Sequence, residues 1–249
     1  MVGSLLKLLA SSALLLSANA SPDMRAHLRH ARATASSPTL TNGTAGILSG
    51  TVGSMVWGSS GILTSACPAG SLITNCYSMF LSPNASAMLD TAHLDSPRQR
   101  TEWHFPTLST GSSFSYSWKQ YLATGTSTSV HFFHLMQVFG VPENGPVLTL
   151  DALSGQLTIV DTSCGSSCPT TPLSNYWGQY TTHYISGKTG ASGTLTYTVK
   201  GQTGSTILSY TRPTGSLGSG DVYIKFGTYR LTVAGMSAAN STCGDWATY

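Results

Sequence analysis

The chain has 249 residues, only 8% of them charged, with a formal net charge of +3 at neutral pH. That length suits one domain with a sizeable core. So even a charge balance excludes the basic stripe of a nucleic-acid binder.

Residues 1–20 read as a secretory leader, with a lone Lys7, an apolar run over residues 5–16 and a small-residue cleavage site at Ala18-Asn19-Ala20. The run is too short to span a bilayer, and no later stretch reaches the roughly 20 apolar residues a membrane helix needs. The mature chain is therefore expected to be secreted and extracellular, with no membrane partner. Without Lys7, eleven basic residues face nine acidic ones, a formal +2, and Arg25, Arg29 and Arg32 crowd behind the leader. Residues 21–45 carry almost no large apolar groups and read as a disordered arm or pro-segment. Residues 46–249 then form a single domain, expected to be monomeric.

Three sequons, at Asn42, Asn84 and Asn240, mark candidate glycosylation sites and agree with a secretory route. Cys67 and Cys76 bracket a short loop, and Cys164 and Cys168 bracket a Gly-Ser-Ser tip; both pairs are disulfide candidates, which leaves Cys243 over. No histidine sits at ligand spacing from either pair, so a metal centre is not read there. Asp151 and Asp161 flank a turn and leave a structural calcium open, although two aspartates do not make a site. No cofactor is otherwise required.

Within the domain the apolar residues alternate. Phe114, Tyr116 and Trp118 recur every second residue, as do Leu195, Tyr197 and Val199, then Val222, Ile224 and Phe226. Gly, Ser, Thr and Asn clusters punctuate them. This predicts an all-β fold of antiparallel strands, a jelly roll or concanavalin-like sandwich. One short helix is expected around residues 86–94.

Three strands carry polar groups that a purely structural sheet does not need. In the first, Thr101, Trp103 and Phe105 share an apolar face, while Arg100, Glu102 and His104 share the other. The plain alternative is a surface ion pair between Arg100 and Glu102. The second, residues 130–139, is apolar enough to be central. Alternation puts Gln137 with His131, Phe133 and Phe139, and His134 on the opposite face. A buried Gln137 must find partners or cost about 1–3 kcal/mol, and a ligand carboxyl would supply one. The third strand puts Ile224 and Phe226 on one face, and Tyr223, Lys225 and Tyr229 on the other, with Gly227 between them. Tyrosines beside a cation suit an anionic ligand, and a tyrosine beside Lys225 is expected to have a lowered pKa, since a nearby cation favours the phenolate. Lys119, beside Trp118, is a weaker cationic candidate.

Absent patterns narrow the chemistry. The chain has only two glutamates, Glu102 and Glu143, and no Glu-x-Asp-x-Glu strand of the jelly-roll glucanases, so hydrolysis by paired carboxylates is poorly supported. No nucleophile elbow, His-Glu-x-x-His or phosphate loop occurs.

Together, Arg100-Thr101-Glu102, the Gln137 strand and Tyr223-Ile224-Lys225-Phe226-Gly227-Thr228-Tyr229 resemble the jelly-roll polysaccharide lyases of the glucuronan and alginate type. Polysaccharide lyase family 20 looks most similar and family 14 next, over roughly residues 100–230. The resemblance implies a concave groove for an acidic polysaccharide and cleavage by β-elimination. It places Tyr229 on the catalytic tyrosine, Lys225 on the motif lysine, and Gln137 and Arg100 on groups that hold the uronate carboxyl. Tyr223, His131 and Lys119 would add substrate contacts. Two departures stand out: His104 occupies the place of a second arginine, and Phe139 that of the sheet histidine. His104 or Tyr229 is thus the expected base. The rival readings are a non-catalytic sugar-binding jelly roll, with Tyr223 and Tyr229 stacking on sugar rings, and a structural cell-wall protein.

Overall fold

The structure, a computed structural model, describes residues 39–43 and 46–249. The leader and most of the expected arm lie outside the described residues. In chain order the strands are β1 (Thr39–Asn42), β2 (Leu48–Val52), β3 (Met55–Ser59), β4 (Ile62–Thr64), β5 (Cys76–Leu81), β6 (Arg98–His104), β7 (Ser113–Leu122) and β8 (Phe133–Gly140). They continue with β9 (Gly145–Leu153), β10 (Gln156–Val160), β11 (Thr170–Pro172), β12 (Tyr180–Lys188), β13 (Gly190–Lys200), β14 (Thr206–Leu217), β15 (Val222–Leu231) and β16 (Ala239–Thr248). They form two eight-stranded antiparallel sheets, β1-β4-β5-β16-β7-β12-β13-β14 and β11-β10-β9-β8-β15-β6-β3-β2. The fold is the all-β jelly-roll sandwich that the alternation predicts.

The alternating apolar residues of β7, β13 and β15 are all buried between the sheets. Trp118 of the first sheet stacks on Phe226 of the second, ring centroids 4.8 Å apart. Full burial of such a side chain is worth about 1.5–3 kcal/mol. Two polar devices lie in this core. Gln120, fully buried, accepts from Trp118 Nε1 at 3.2 Å and donates to the Gly227 carbonyl of the opposite sheet at 2.9 Å. His183, also fully buried, lies 2.6 Å from the Tyr197 hydroxyl, 3.2 Å from that of Tyr176 and 3.1 Å from Thr181 Oγ1.

Three expectations change. Strand β1 starts inside the stretch read as an arm, because Leu40 packs against the core and Thr41 is buried, so the ordered domain begins before residue 46. The expected helix is only a 3-10 turn, Thr91–His93, which buries no residue and so has no apolar stripe to propagate it. The strand expected from residue 130 begins at Phe133.

The disulfides Cys67–Cys76 and Cys164–Cys168 form as paired above, and Cys243 is a buried free thiol whose pKa burial pushes up. Asn42, Asn84 and Asn240 are all exposed. Among the described residues no helix is long and apolar enough to cross a membrane.

Candidate active site

The three polar strands are neighbours in one sheet, in the order β8-β15-β6. Their core-facing residues, among them Thr101, Trp103, Ile224 and Phe226, are fully buried, so the polar set lies on the sheet's other face. Pairing arranges that face in rows. Arg100, Tyr229, His134 and Asp151 stand side by side across β6, β15, β8 and β9. Gly227 stands beside Glu102 in the next row. His104, Lys225, Gln137 and Thr149 form the row beyond.

His134 reaches this face through a bulge. From Phe226 to Tyr229 the ladder takes three steps on β15, but two on β8 from Met136 to His134 and one on β9 from Leu150 to Asp151. Consecutive Leu135 and Met136 therefore both point into the core, fully buried. His134 and Gln137 both emerge on the polar side. Alternation alone had set them on opposite faces. Gly227 makes the step with φ of 135°, and a Cβ there would meet the Thr101 carbonyl at 2.4 Å.

Tyr229, 7% exposed, holds its hydroxyl between two guanidinium groups: Arg98 Nη1 donates at 3.1 Å and Arg100 Nη2 at 2.9 Å. Burial raises its pKa, with a smaller push from Glu102, and the two arginines do not reverse this. The resting group is a neutral phenol. The lowered pKa expected from Lys225 is thus corrected: the ammonium of Lys225 sits over Phe139, 3.9 Å from the ring centroid, and the cations beside Tyr229 are Arg98 and Arg100.

Arg100 is itself held. It pairs with the fully buried Asp90, and Nη1 lies 3.8 Å from Glu102 Oε2. Burial pulls its pKa down, but Glu102, Tyr229 and Asp90 outweigh this and the net shift is upward. On the far side of Tyr229, His134 has its ring 5.6 Å away and bonds through Nδ1 to the buried carboxylate of Asp151. In a neutral imidazole, a carboxylate at Nδ1 holds the proton there and leaves Nε2 as the acceptor. Phe132 stacks on His134, centroids 4.7 Å apart.

Gln137, 1% exposed, donates to Glu102 Oε1, so its buried amide is satisfied from within the sheet. At the other end, Tyr223 stacks on Phe139 at 5.2 Å and against His104 at 4.6 Å. Burial, with Glu102 adding to it, pushes the Tyr223 phenol up to about 12. Burial pulls the Lys225 ammonium down.

The face thus unites Arg100, Gln137, Tyr223, Lys225, Tyr229 and His104. It separates His104 from Tyr229, however: the two rows are four residues apart, about 13 Å along the strand. His104 Nδ1 lies 2.8 Å from the Phe105 carbonyl. The imidazole beside Tyr229 is His134, not His104. His131 sits exposed ahead of β8. Lys119 belongs to the other sheet, on the outward side of β7, where it pairs with Asp245 at 3.0 Å. Asp151 is committed to His134 and Asp161 to Arg212, at 2.8 Å, and no group of three metal-binding side chains occurs among the described residues. Sequence reasoning missed Asp90 and Arg98 altogether. Arg98 shares the period-2 face of Arg100, which was the available signal; Asp90 lies in the loop before β6 and gave none.

No protein-family model matches the chain, and no curated protein matches it. Among solved structures it is similar to an alginate lyase of polysaccharide lyase family 7, with TM-score 0.47 and 13% identity over 70% of this chain and 77% of that one. The alginate lyase from Corynebacterium sp. gives TM-score 0.48 and 11% identity over 70% and 76%. Lectin II from Ulex europaeus gives 0.46 and 8% over 84% and 96%. At this identity the likenesses assign no role to any residue here.

Proposed function

We propose that this chain is a secreted polysaccharide lyase that cleaves a polyuronate by β-elimination. The observation that carries this reading is the row Arg100–Tyr229–His134–Asp151. Because Arg98 and Arg100 both donate to the Tyr229 oxygen, the hydroxyl's own proton is the one left to give. Beside it stands an imidazole with Asp151 at Nδ1, which in the neutral ring leaves Nε2 as the acceptor. An acid and a base meet on one sheet face with cations around them, while the carboxylates there are engaged, Asp151 by His134, Asp90 by Arg100 and Glu102 by Gln137.

In this reading a guanidinium of β6 neutralises the uronate carboxylate, so that the C5 proton becomes acidic. His134 Nε2 takes that proton, the C5–H electron pair becomes the C4=C5 double bond, and the C4–O4 bond breaks. O4 leaves with the proton of Tyr229. A proton returning from the imidazolium to the phenolate restores the site. The Tyr-x-Lys-x-Gly-x-Tyr strand supports the glucuronan–alginate group, families 20 and 14 included. The leader, the exposed sequons and the two disulfides support an oxidising, extracellular setting.

The test is ultraviolet absorbance while the purified protein acts on glucuronan, polymannuronate, polyguluronate and a neutral glucan. Elimination leaves a conjugated double bond on the new chain end, and a rise on one polyuronate identifies the substrate. A folded protein that produces no rise on any of them is not a lyase. The second reading, a sugar-binding module, then takes over; the half-exposed Tyr223–Phe139 stack favours it.

A further inference from the structure

Of the two cations on the Tyr229 hydroxyl, Arg98 is the one without a carboxylate among the described residues. Arg100 faces two, Asp90 and Glu102, so its charge is more than cancelled. Gln137 is held by Glu102 as well. An incoming carboxylate would meet two like charges on that side. Arg98 differs. It donates from Nε to the Ser96 carbonyl at 2.7 Å and from Nη1 to Tyr229, and among the described residues it forms no ion pair. A guanidinium has five N–H donors, so three remain unspent, on a half-buried group beside Phe132, whose ring centroid lies 5.5 Å from its central carbon.

The covalent structure of a uronate adds a distance condition. The carboxyl is attached to C5, and C5 is bonded to C4, which carries the departing oxygen. The group that holds the carboxylate must therefore lie within a few ångströms of the group that protonates O4. Arg98 Nη1 is 3.1 Å from the Tyr229 hydroxyl. Lys225, four residues along β15, is about 13 Å away along the strand and must serve a different sugar unit.

Resting on the elimination reading, we propose that Arg98, rather than Arg100, binds and neutralises the carboxylate of the uronate unit that undergoes cleavage. Arg100, clamped by Asp90 and Glu102, positions the Tyr229 hydroxyl. The sugar then lies on the Phe132–His134 side of Tyr229, which brings its C5 toward His134 and away from His104.

The test compares Arg98→Met and Arg98→Lys with the wild type on the polyuronate it cleaves. A second arm measures binding of a glucuronic acid tetrasaccharide and of its carboxyl-reduced, neutral counterpart to Tyr229→Phe and to Tyr229→Phe/Arg98→Met. We expect Arg98→Met to lose roughly 10²-fold or more in kcat/KM, with Arg98→Lys between it and the wild type. The preference for the acidic over the neutral tetrasaccharide should collapse when Arg98 is removed. Should Arg98→Met not fold, Arg98→Gln replaces it in both arms. A cleaving wild type together with an Arg98 variant that keeps its rate and its preference for the acid overturns the assignment. A wild type that never produces an unsaturated product overturns the elimination reading instead.

Discussion

Tyr229 and His134 stand opposite each other across the β8–β15 ladder, their rings 5.6 Å apart, each fixed from behind by charge: two arginines on the phenol and Asp151 on the imidazole. In the proposed elimination the pair would divide one proton transfer in from one proton transfer out. Tyr229→Phe removes only the hydroxyl, the proposed proton donor, and keeps the ring packed against Phe132. Turnover should fall by roughly 10²–10⁴-fold, the usual worth of a positioned acid. Oligouronate affinity, read by calorimetry, should change by only a few-fold. A variant that still turns over at the wild-type rate would remove Tyr229 from the chemistry.

Asp151→Asn tests the other half. An amide in place of the carboxylate can donate to Nδ1, which moves the imidazole proton to Nε2 and blocks the acceptor. Turnover should fall by about 10²-fold or more, while thermal stability stays near that of the wild type because the amide is nearly isosteric. Nitrogen chemical shifts of a histidine-labelled sample report the tautomer directly. An unchanged tautomer with lost activity would assign Asp151 another role.

The sheet and its faces were legible because period-2 alternation is a local property: Thr101, Trp103, Ile224 and Phe226 needed only their neighbours to declare a buried side. His134 was misplaced because a bulge breaks the period, and nothing in residues 133–137 announces one. The matching irregularities lie on the neighbouring strands, between Phe226 and Tyr229 on β15 and between Leu150 and Asp151 on β9. Asp90 and Asp151 escaped for a related reason. Their partners, Arg100 and His134, are brought to them by sheet pairing and loop closure over many residues, and a buried ion pair leaves no spacing pattern in the chain. Sequence spacing offers Glu102 a surface pair with Arg100 as one alternative, but its contact with Gln137 is on a strand that β15 separates from β6.

Gly227→Ala should therefore damage the fold and the site together. The added Cβ would stand 2.4 Å from the Thr101 carbonyl and 3.0 Å from Glu102 Cα, at a φ that side chains rarely adopt. Neither neighbour can yield easily, since both are backbone atoms of the adjoining strand. A loss of about 1–3 kcal/mol is expected in urea unfolding, along with lost turnover as Tyr229 shifts against His134. Gln120→Leu removes the donor that holds the Gly227 carbonyl from across the core and leaves that acceptor unmet, at about 1–3 kcal/mol. If Gly227→Ala retained full stability, the bulge would not depend on glycine.

The fully buried His183 makes a prediction about pH. Burial pushes its pKa down to about 3, against an ordinary value near 6.5. Above pH 6.5 the imidazole is neutral in folded and unfolded chains alike, and its contribution to stability is fully present. As pH falls from 6.5 toward 3, the unfolded chain binds a proton that the folded one refuses. Stability should then drop by up to about 1.4 kcal/mol per pH unit. The lowered carboxyls of Asp161 and Asp245 act in the same direction, but only below their own unfolded values near pH 4. Urea unfolding between pH 6.5 and 4.5 thus avoids these carboxyls, and comparison with a His183 variant separates this histidine from the others. His183→Gln should be less stable at neutral pH, since Tyr176 and Tyr197 lose a matched partner. Its pH slope in that window should nevertheless be flatter than that of the wild type. Equal slopes would mean that the buried imidazole accepts its proton without unfolding.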